Sequence, residues 1–221
     1  MAKRILLSWS SGKDSAWSLF KLRQAPELEV VGLLTTVNEA FDRVAMHAVR
    51  RDLLLRQAEA AGVALWLVHI PYPCANEQYE ATMGAQIDKA IAAGISGVAF
   101  GDLFLEEIRA YRERQMAATG LELLFPLWKQ PTHALAREML AGGLRAWVTC
   151  VDPRLLDASF AGREWNASFI DDLPTGADPC GENGEFHTFA FAGPMFCHDV
   201  AITPGDVVHR DGYVFADLLP A

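Results

Sequence analysis

The chain has 221 residues, 51% of them hydrophobic and 21% charged, which is typical of a packed globular protein and excludes a disordered one. Its formal charge of −9 argues against extensive binding to nucleic-acid backbones. No apolar run is long enough to span a bilayer, no signal peptide begins the chain, and the four cysteines form no Cys-x-x-Cys pair. We therefore expect a cytoplasmic protein with reduced cysteines and no membrane partner.

Strand-like and helix-like segments alternate from the N-terminus to about residue 153. The predicted strands are 3–9, 29–37, 64–70, 98–100 and 144–151, with a further apolar segment at 121–127; the predicted helices are 15–24, 48–61, 76–93, 105–118 and 132–141. This alternation predicts an α/β fold in which a parallel sheet has helices on both faces. Ligands bind beyond the carboxyl ends of such strands, so we expect one crevice lined by Ser8–Ser15, Thr35–Asn38, Gly101-Asp102 and Asp152.

The pattern changes after residue 153 to short segments in which Gly, Pro and Asp are frequent. One helix is predicted at 165–173, and strands, paired antiparallel, at 187–192, 198–203 and 213–219. We therefore divide the chain into an N-terminal α/β domain, 1–153, and a small β-rich C-terminal extension, 154–221, that packs against it.

The most informative stretch is the loop at residues 8–15, Ser-Trp-Ser-Ser-Gly-Lys-Asp-Ser, between the first strand and the first helix. Such a loop aims backbone N–H groups and a helix N-terminus at one point, which makes an anion site. Lys13 adds a positive charge. Four serine hydroxyls add hydrogen-bond donors: Ser8, Ser10, Ser11 and Ser15. The loop at 8–15 is not a Walker A loop. That motif needs Gly at the position of Leu7 and Ser or Thr at the position of Asp14. The alternative is an ordinary Ser/Gly turn with a capping Asp.

A second unusual stretch is residues 176–188, Gly-Ala-Asp-Pro-Cys-Gly-Glu-Asn-Gly-Glu-Phe-His-Thr. Packing alone does not require this density of glycine with acidic and amide side chains. The alternative interpretation is an exposed turn before a strand, because Asn183-Gly184 is a strong hairpin signal.

The loop at 8–15 resembles the Ser-Gly-Gly-Lys-Asp-Ser loop of the PP-loop ATP pyrophosphatases, whose nucleotide domain is adenine nucleotide alpha hydrolase-like. Ser11 replaces the second Gly of that loop; if the position needs a positive φ, the serine costs about 1 kcal/mol. With Gly101–Glu106, Tyr111-Arg112-Glu113 and Asp178–Thr188, the chain resembles the diphthine–ammonia ligase family from Ile5 to about Phe196. The Ala- and Trp-rich composition is typical of a high-GC bacterium, so we expect a bacterial relative.

The resemblance implies an enzyme that adenylates a carboxylate with ATP, releases pyrophosphate, and lets ammonia displace AMP. The residues expected to bind ATP are Ser8, Ser10, Ser11, Gly12, Lys13, Asp14, Ser15, Thr35, Thr36, His47 and Gly101. Asp14 and Asp102 are the expected Mg²⁺ ligands, because Mg²⁺ is usually held by one or two carboxylates plus phosphate oxygens; for Asp14 the rival role is helix capping. The expected catalytic residues among these are Lys13, Asp14 and Asp102. As an exposed loop cation, Lys13 is expected to add little to stability.

The second stretch is expected to face the other substrates. The resemblance implies that Glu182 and Glu185 orient ammonium or take its proton, which is general-base catalysis. Asn183 is expected to bind the substrate carbonyl and His187 to orient a carboxylate. Arg109 and Arg112, three apart on one helix face, either reach an anionic substrate or form a solvated face with Glu106 and Glu113; we favour the solvated face.

The acceptor and the class of function stay open at this point. The family substrate in archaea and eukaryotes is diphthine on elongation factor 2, and a cobalamin-related carboxylate is the alternative in bacteria. The expected partners are ATP, free or delivered ammonia and a carboxylate-bearing protein or small molecule; a monomer and a homodimer are both compatible with the sequence. Other readings are a PP-loop tRNA-modifying enzyme, disfavoured by the acidic charge, and a nucleotide sensor without turnover.

Overall fold

The first half of the chain forms a parallel sheet in a computed structural model that describes residues 2–221. Its strands are β1 (Lys3–Ser8), β2 (Leu28–Asn38), β4 (Leu65–Ile70), β5 (Gly97–Ala99) and β6 (Glu122–Leu124), with the short β3 (Arg43–Val44) between β2 and β4 in the chain. β1 lies in the middle, flanked by β2 and β5; β4 extends the sheet beyond β2 and β6 beyond β5, all parallel. Only β3 is antiparallel, against the end of β2.

Helices cover both faces of this sheet, as predicted. They are α1 (Lys13–Leu22), α2 (Arg51–Ala61), α3 (Asn76–Ala92), α4 (Glu106–Met116) and α5 (Thr132–Ala141). Successive side chains of β1 point to opposite faces. Ile5 and Leu7 therefore pack in the core that contains α1 and α2, whereas Leu6 packs with Ile87 of α3 in a second, smaller core.

The last third of the chain forms a second, antiparallel sheet. Its strands are β7 (Arg145–Val151), β8 (Glu164–Trp165), β9 (Phe186–Ala192), β10 (Ile202–Arg210) and β11 (Tyr213–Pro220); a 3₁₀ turn (Ala158–Phe160) and the short helix α6 (Ala167–Asp171) lie between them. β7 is its central strand and pairs with β8, β9 and β11. Residues of both sheets, such as Ile5 and Phe189, belong to the same core.

The position of β7 corrects the sequence analysis, which placed residues 144–151 in the parallel sheet. A strand covered on both faces is a continuous apolar run in either kind of sheet, so its sequence does not reveal its partners. The expected boundary at residue 153 thus falls after the central strand of the second sheet. Asp152, expected in the crevice, is buried beside that strand and accepts two hydrogen bonds from the Arg154 side chain.

Smaller differences concern the edges of elements. The strand predicted at 198–203 begins at Ile202 and continues to Arg210, where Asp211 and Gly212, both with positive φ, turn the chain into β11. The two-residue strands β3 and β8 were not predicted. Over residues 2–221 no helix combines the length and apolar character needed to cross a bilayer.

Candidate functional site

A cavity of about 760 Å³ opens at the carboxyl ends of β1, β2 and β5. Eleven residues singled out from the sequence line it: Ser8, Ser10, Lys13, Asp14, Ser15, Thr36, His47, Gly101, Asp102, Glu182 and His187. The opposite wall comes from α3 and α4, and segment 180–188 closes the cavity from the second sheet. The structure thus brings the loop at 8–15 and the second sequence cluster to one place.

Hydrogen bonds between the serine hydroxyls and the backbone of the loop at 8–15 hold it in a tight turn. Ser11 has a φ of 69°, the left-handed conformation that its glycine-like position suggested. Ser15 Oγ donates to the Gly12 carbonyl at 2.9 Å, and Gly12 N donates to Ser10 Oγ at 3.3 Å. A Cβ on Gly12 would lie 2.8 Å from Cε1 of His47, so a larger residue would displace the imidazole. Hydrogen bonds within the loop therefore help to fix its shape.

Two neighbouring elements hold the left-handed residue. The Ser11 carbonyl accepts from Ala190 N of β9 at 2.9 Å and from Nε2 of Gln57 at 3.0 Å. The same Gln57 amide donates to the Ala190 carbonyl at 2.6 Å and accepts from Trp9 Nε1 at 2.8 Å. Gln57 is completely buried, so one α2 side chain ties the loop to the second sheet.

Lys13 is buried, which corrects the expectation of an exposed loop cation. Its ammonium donates to both carboxylate oxygens of Asp14, at 3.0 and 2.8 Å, and to the carbonyl of Cys180, 167 residues away. The rings of Trp165 and Phe186 lie 5.6 and 5.5 Å from Nζ. Burial is the largest single influence and lowers the pKa of Lys13, but the charge and hydrogen bond of Asp14, together with Cys180 and Asp178, more than offset it, so the net pKa is raised and the ammonium stays charged.

The second cluster contacts the parallel sheet through two side chains. Thr188 Oγ1 accepts from the backbone N–H of Lys13 at 3.1 Å, at the start of α1. Glu182 Oε1 accepts from Leu103 N at 2.7 Å and Phe104 N at 3.3 Å, just beyond β5. Burial raises the pKa of Glu182 to about 7, despite these two bonds. A carboxylate that titrates near neutrality thus lines the cavity.

Glu185 and Asn183 were expected in the cavity, but the structure places them elsewhere. Glu185 Oε1 accepts from Asp178 N at 2.8 Å and from Nδ2 of Asn183 at 3.0 Å, and the residue is only 4% exposed. Neither side chain lines the cavity. Glu185 and Asn183 instead stabilise the turn that contains Glu182, because Glu185 accepts hydrogen bonds from the Asp178 backbone and the Asn183 amide within that turn.

Two imidazoles stand beside the loop. The rings of His47 and His187 are 4.6 Å apart, and Nδ1 of His47 lies 3.0 Å from the Thr188 carbonyl. A carbonyl only accepts, so Nδ1 carries the proton and Nε2 is free to accept. Burial lowers the pKa of His47 to about 4 and that of His187 to about 3. Both rings are therefore neutral near pH 7.

Asp102 lies at the end of β5 as predicted, but it has a partner that the sequence analysis did not favour. Its carboxylate accepts from Nε and Nη2 of Arg112, at 2.6 and 3.0 Å. Arg109, by contrast, pairs with Glu113 and does not line the cavity. Arg109 therefore pairs on its own helix, as the predicted solvated face requires, whereas Arg112 lines the cavity and pairs with Asp102.

The sequence analysis missed the apolar end of the cavity. It lies among β2, β4, β5, α3 and α4 and is lined by Leu34, Ile70, Met83, Ile87, Val98, Phe100 and Met116. Met83 and Ile87 lie four apart on α3, a signal that equally describes a helix packed in a core. Thr35 and Thr36 were both expected at the nucleotide; Thr36 lines the cavity, whereas Thr35 Oγ1 donates to the Trp9 carbonyl at 2.8 Å and does not line it.

The two expected metal ligands are both paired with cations, Asp14 with Lys13 and Asp102 with Arg112. Within residues 2–221 no group of three or more His, Cys, Asp or Glu side chains is arranged to hold a metal ion unaided. Mg²⁺ that arrives with a nucleotide needs only one or two carboxylates, since phosphates and water supply the other ligands. Asp14, which lines the cavity beside the loop, fits that requirement.

Comparison with known proteins gives consistent matches over both parts of the chain. The family model for the diphthamide synthase N-terminal domain matches residues 2–123, and that for the C-terminal domain matches residues 131–215. The division falls before β7, in agreement with the two sheets. A diphthine–ammonia ligase of Danio rerio is 25% identical over 232 residues, covering 91% of this chain and 88% of that protein. One of Mus musculus is 25% identical over 130 residues, covering 55% of this chain and 48% of that protein.

Proposed function

The chain belongs to the diphthamide synthase family, and on that basis we propose that it is an ATP-dependent ligase that converts a carboxylate to a primary amide. The observation that carries the proposal is the contact between the loop at 8–15 and segment 180–188 across one cavity. A nucleotide sensor needs the loop alone. An amide ligase needs a second reactive site beside the nucleotide, and the sharing of one cavity by segment 180–188 and the loop supports this function.

The chemistry requires a better leaving group than oxide. ATP supplies it: the acceptor carboxylate attacks the α-phosphate, pyrophosphate leaves, and the acyl group is then bound to AMP. Ammonia attacks the acyl carbon and AMP leaves. In this proposal the loop at 8–15 and the Lys13 ammonium hold the phosphates, and one preorganised donor typically contributes about 3 kcal/mol to stabilising the transition state. Mg²⁺ neutralises phosphate charge when bound, with Asp14 as its protein ligand.

Glu182 is the best-placed group to handle the ammonium proton. Ammonium must lose a proton before its nitrogen is nucleophilic, and general bases work best when their pKa lies near the operating pH. Glu182 titrates at about 7 and lines the cavity near both Asp14 and Asp102. The neutral imidazole of His47 offers Nε2 as a further hydrogen-bond acceptor.

The acceptor we propose to test first is diphthine on elongation factor 2, because diphthine is named for the Danio rerio and Mus musculus relatives. The full-length protein is incubated with MgATP, ammonium chloride and diphthine-bearing elongation factor 2. The nucleotide products are separated, and the acceptor is examined by mass spectrometry for replacement of OH by NH₂. AMP formation that depends on both ammonium and acceptor supports the proposal. ADP formation, or AMP formation that needs no ammonium, contradicts it.

A further inference from the structure

We propose that Arg112 binds the carboxylate of the acceptor, at a subsite of the cavity separate from the loop at 8–15. This inference rests on the proposed function, because it assumes that an acidic acceptor enters the cavity. It assigns to Arg112 a role in substrate specificity.

The charges that line the cavity leave few places for an anion. The lining contains five carboxylates, Asp14, Glu80, Asp88, Asp102 and Glu182. Among the described residues that line it, the cationic side chains are Lys13 and Arg112. Lys13 belongs to the loop at 8–15, where the proposed function assigns its ammonium to the phosphates. An acceptor carboxylate would be repelled by most of the wall, so it needs the second cation.

The Arg112 guanidinium is already oriented for such a contact. Asp102 occupies Nε and one N–H of Nη2, and the ring of Phe100 lies 4.4 Å below the guanidinium carbon. Of the five N–H groups of an arginine, the two on Nη1 and the second on Nη2 have no protein partner within residues 2–221. These three form the free edge of a planar fork, which matches a carboxylate in a bidentate arrangement.

Arg112 lies on a different wall of the cavity from the loop at 8–15. It belongs to α4, and its charge acts on the nearby phenols of Tyr79 and Tyr111, which also line the cavity. Glu182 accepts from the backbone N–H groups of Leu103 and Phe104, directly after Asp102, and lines the cavity together with the Asp102–Arg112 pair. The phosphates have their own donors in the loop. The fork of Arg112 therefore serves the other anion of the reaction.

The test compares substitutions of two arginines on the same helix. Arg112→Gln removes the charge and the fork, and Arg112→Lys keeps the charge only. Arg109→Gln is the matched control, since Arg109 pairs with Glu113 at 2.8 Å and packs against Phe125 outside the cavity. The first readout is affinity for α,β-methylene-ATP. The second is the affinity of the protein loaded with this analogue for diphthine-bearing elongation factor 2 and for the amidated factor.

We expect the wild-type protein to bind the carboxylate form of the factor more tightly than the amide form. Arg112→Gln should weaken binding of the carboxylate form by about 10- to 100-fold and abolish the preference, with nucleotide affinity changed less than about twofold. Arg112→Lys should keep part of the preference, and Arg109→Gln all of it. A merely structural arginine would weaken both forms alike.

Three results would overturn the proposal: no preference for the carboxylate form in the wild type, an equal loss of nucleotide affinity in Arg112→Gln, or an unchanged preference in that variant. The proposed function fails separately. If the wild type forms no amide but retains a preference that Arg112→Gln removes, the subsite stands and the ligase reaction does not.

Discussion

Lys13 has two roles that a substitution will reveal together, because it is buried between the loop and the second sheet. Lys13→Met keeps most of the side-chain volume but removes the charge. We expect ammonium-dependent AMP formation to fall by about 10²-fold or more. We also expect a loss of about 1–3 kcal/mol in the free energy of unfolding, because Asp14 and the Cys180 carbonyl lose a buried partner. Urea denaturation and the AMP assay measure the two effects.

Lys21→Met is the control for that substitution. Lys21 lies on the same helix, but its partner Glu138 and its own side chain are partly exposed, so its loss should change stability by less than about 1 kcal/mol. A Lys13→Met protein with wild-type stability would show that the buried contacts contribute nothing. One with wild-type AMP formation would remove the loop from the proposed reaction.

Glu182 makes stability depend on pH in a defined direction. In the folded protein burial holds its pKa at about 7, whereas its ordinary value is 4.5. Between these values the folded state binds more proton than the unfolded state, so this group favours folding at low pH and its contribution is lost as the pH rises to 7. In Glu182→Gln that loss is absent. The variant should therefore gain stability relative to wild type from pH 5 to 7, by at most about 1.4 kcal/mol per pH unit.

Chemical denaturation at several pH values from 5 to 8 measures this difference. Glu107→Gln removes an exposed carboxylate from α4 and controls for the change in net charge. A stability difference between Glu182→Gln and wild type that is flat over this range would show that Glu182 is not buried as described. The glutamine keeps an oxygen for the Leu103 N–H group, so the turn itself should persist.

At the scale of elements, α2 positions the loop through Gln57. Gln57→Leu has a similar size but leaves Trp9 Nε1 and the carbonyls of Ser11 and Ala190 without this partner. We expect a loss of about 3 kcal/mol or more in the free energy of unfolding, and weaker ATP binding, because the left-handed Ser11 loses a support. Denaturant unfolding and calorimetric titration with an ATP analogue are the measurements. Glu59→Leu, exposed on the same helix, should change stability by no more than about 0.5 kcal/mol.

The sequence predicted the elements of the parallel sheet well because each leaves a local pattern. β1, β2 and β4 are apolar runs, α1 and α2 have apolar residues at helical spacing, and the order of these elements predicts the architecture. The partner of β7 was not predictable, since its pairing depends on residues 186–192 and on 214 and 215, which lie far away in the chain. Propensity describes a segment by itself, whereas pairing is a tertiary property.

At the scale of the whole molecule, the site lies where the two sheets meet. Motif resemblance predicted which segments meet there, and most of the side chains that it singled out line the cavity, but it placed Glu185 and Asn183 there wrongly. Glu182 and Glu185 are three residues apart in one acidic turn, and only the fold decides that the first lines the cavity and the second stabilises the turn. Arg112 was ambiguous for a related reason: its partner, Asp102, lies outside its own helix.

The indole of Trp165 gives this junction an optical signal. Trp165 belongs to the second sheet and is fully buried, and its ring lies 5.6 Å from the ammonium of Lys13, the first residue of α1. A nucleotide that takes Lys13 as a phosphate ligand alters the charge next to the ring, so intrinsic fluorescence should shift on titration with ATP. Trp165→Phe should bind ATP without that shift. An identical shift in Trp165→Phe would assign the signal to another of the six tryptophans. Binding of nucleotide to the loop at 8–15 can then be followed through the fluorescence of a residue in the second sheet, without a label and without turnover.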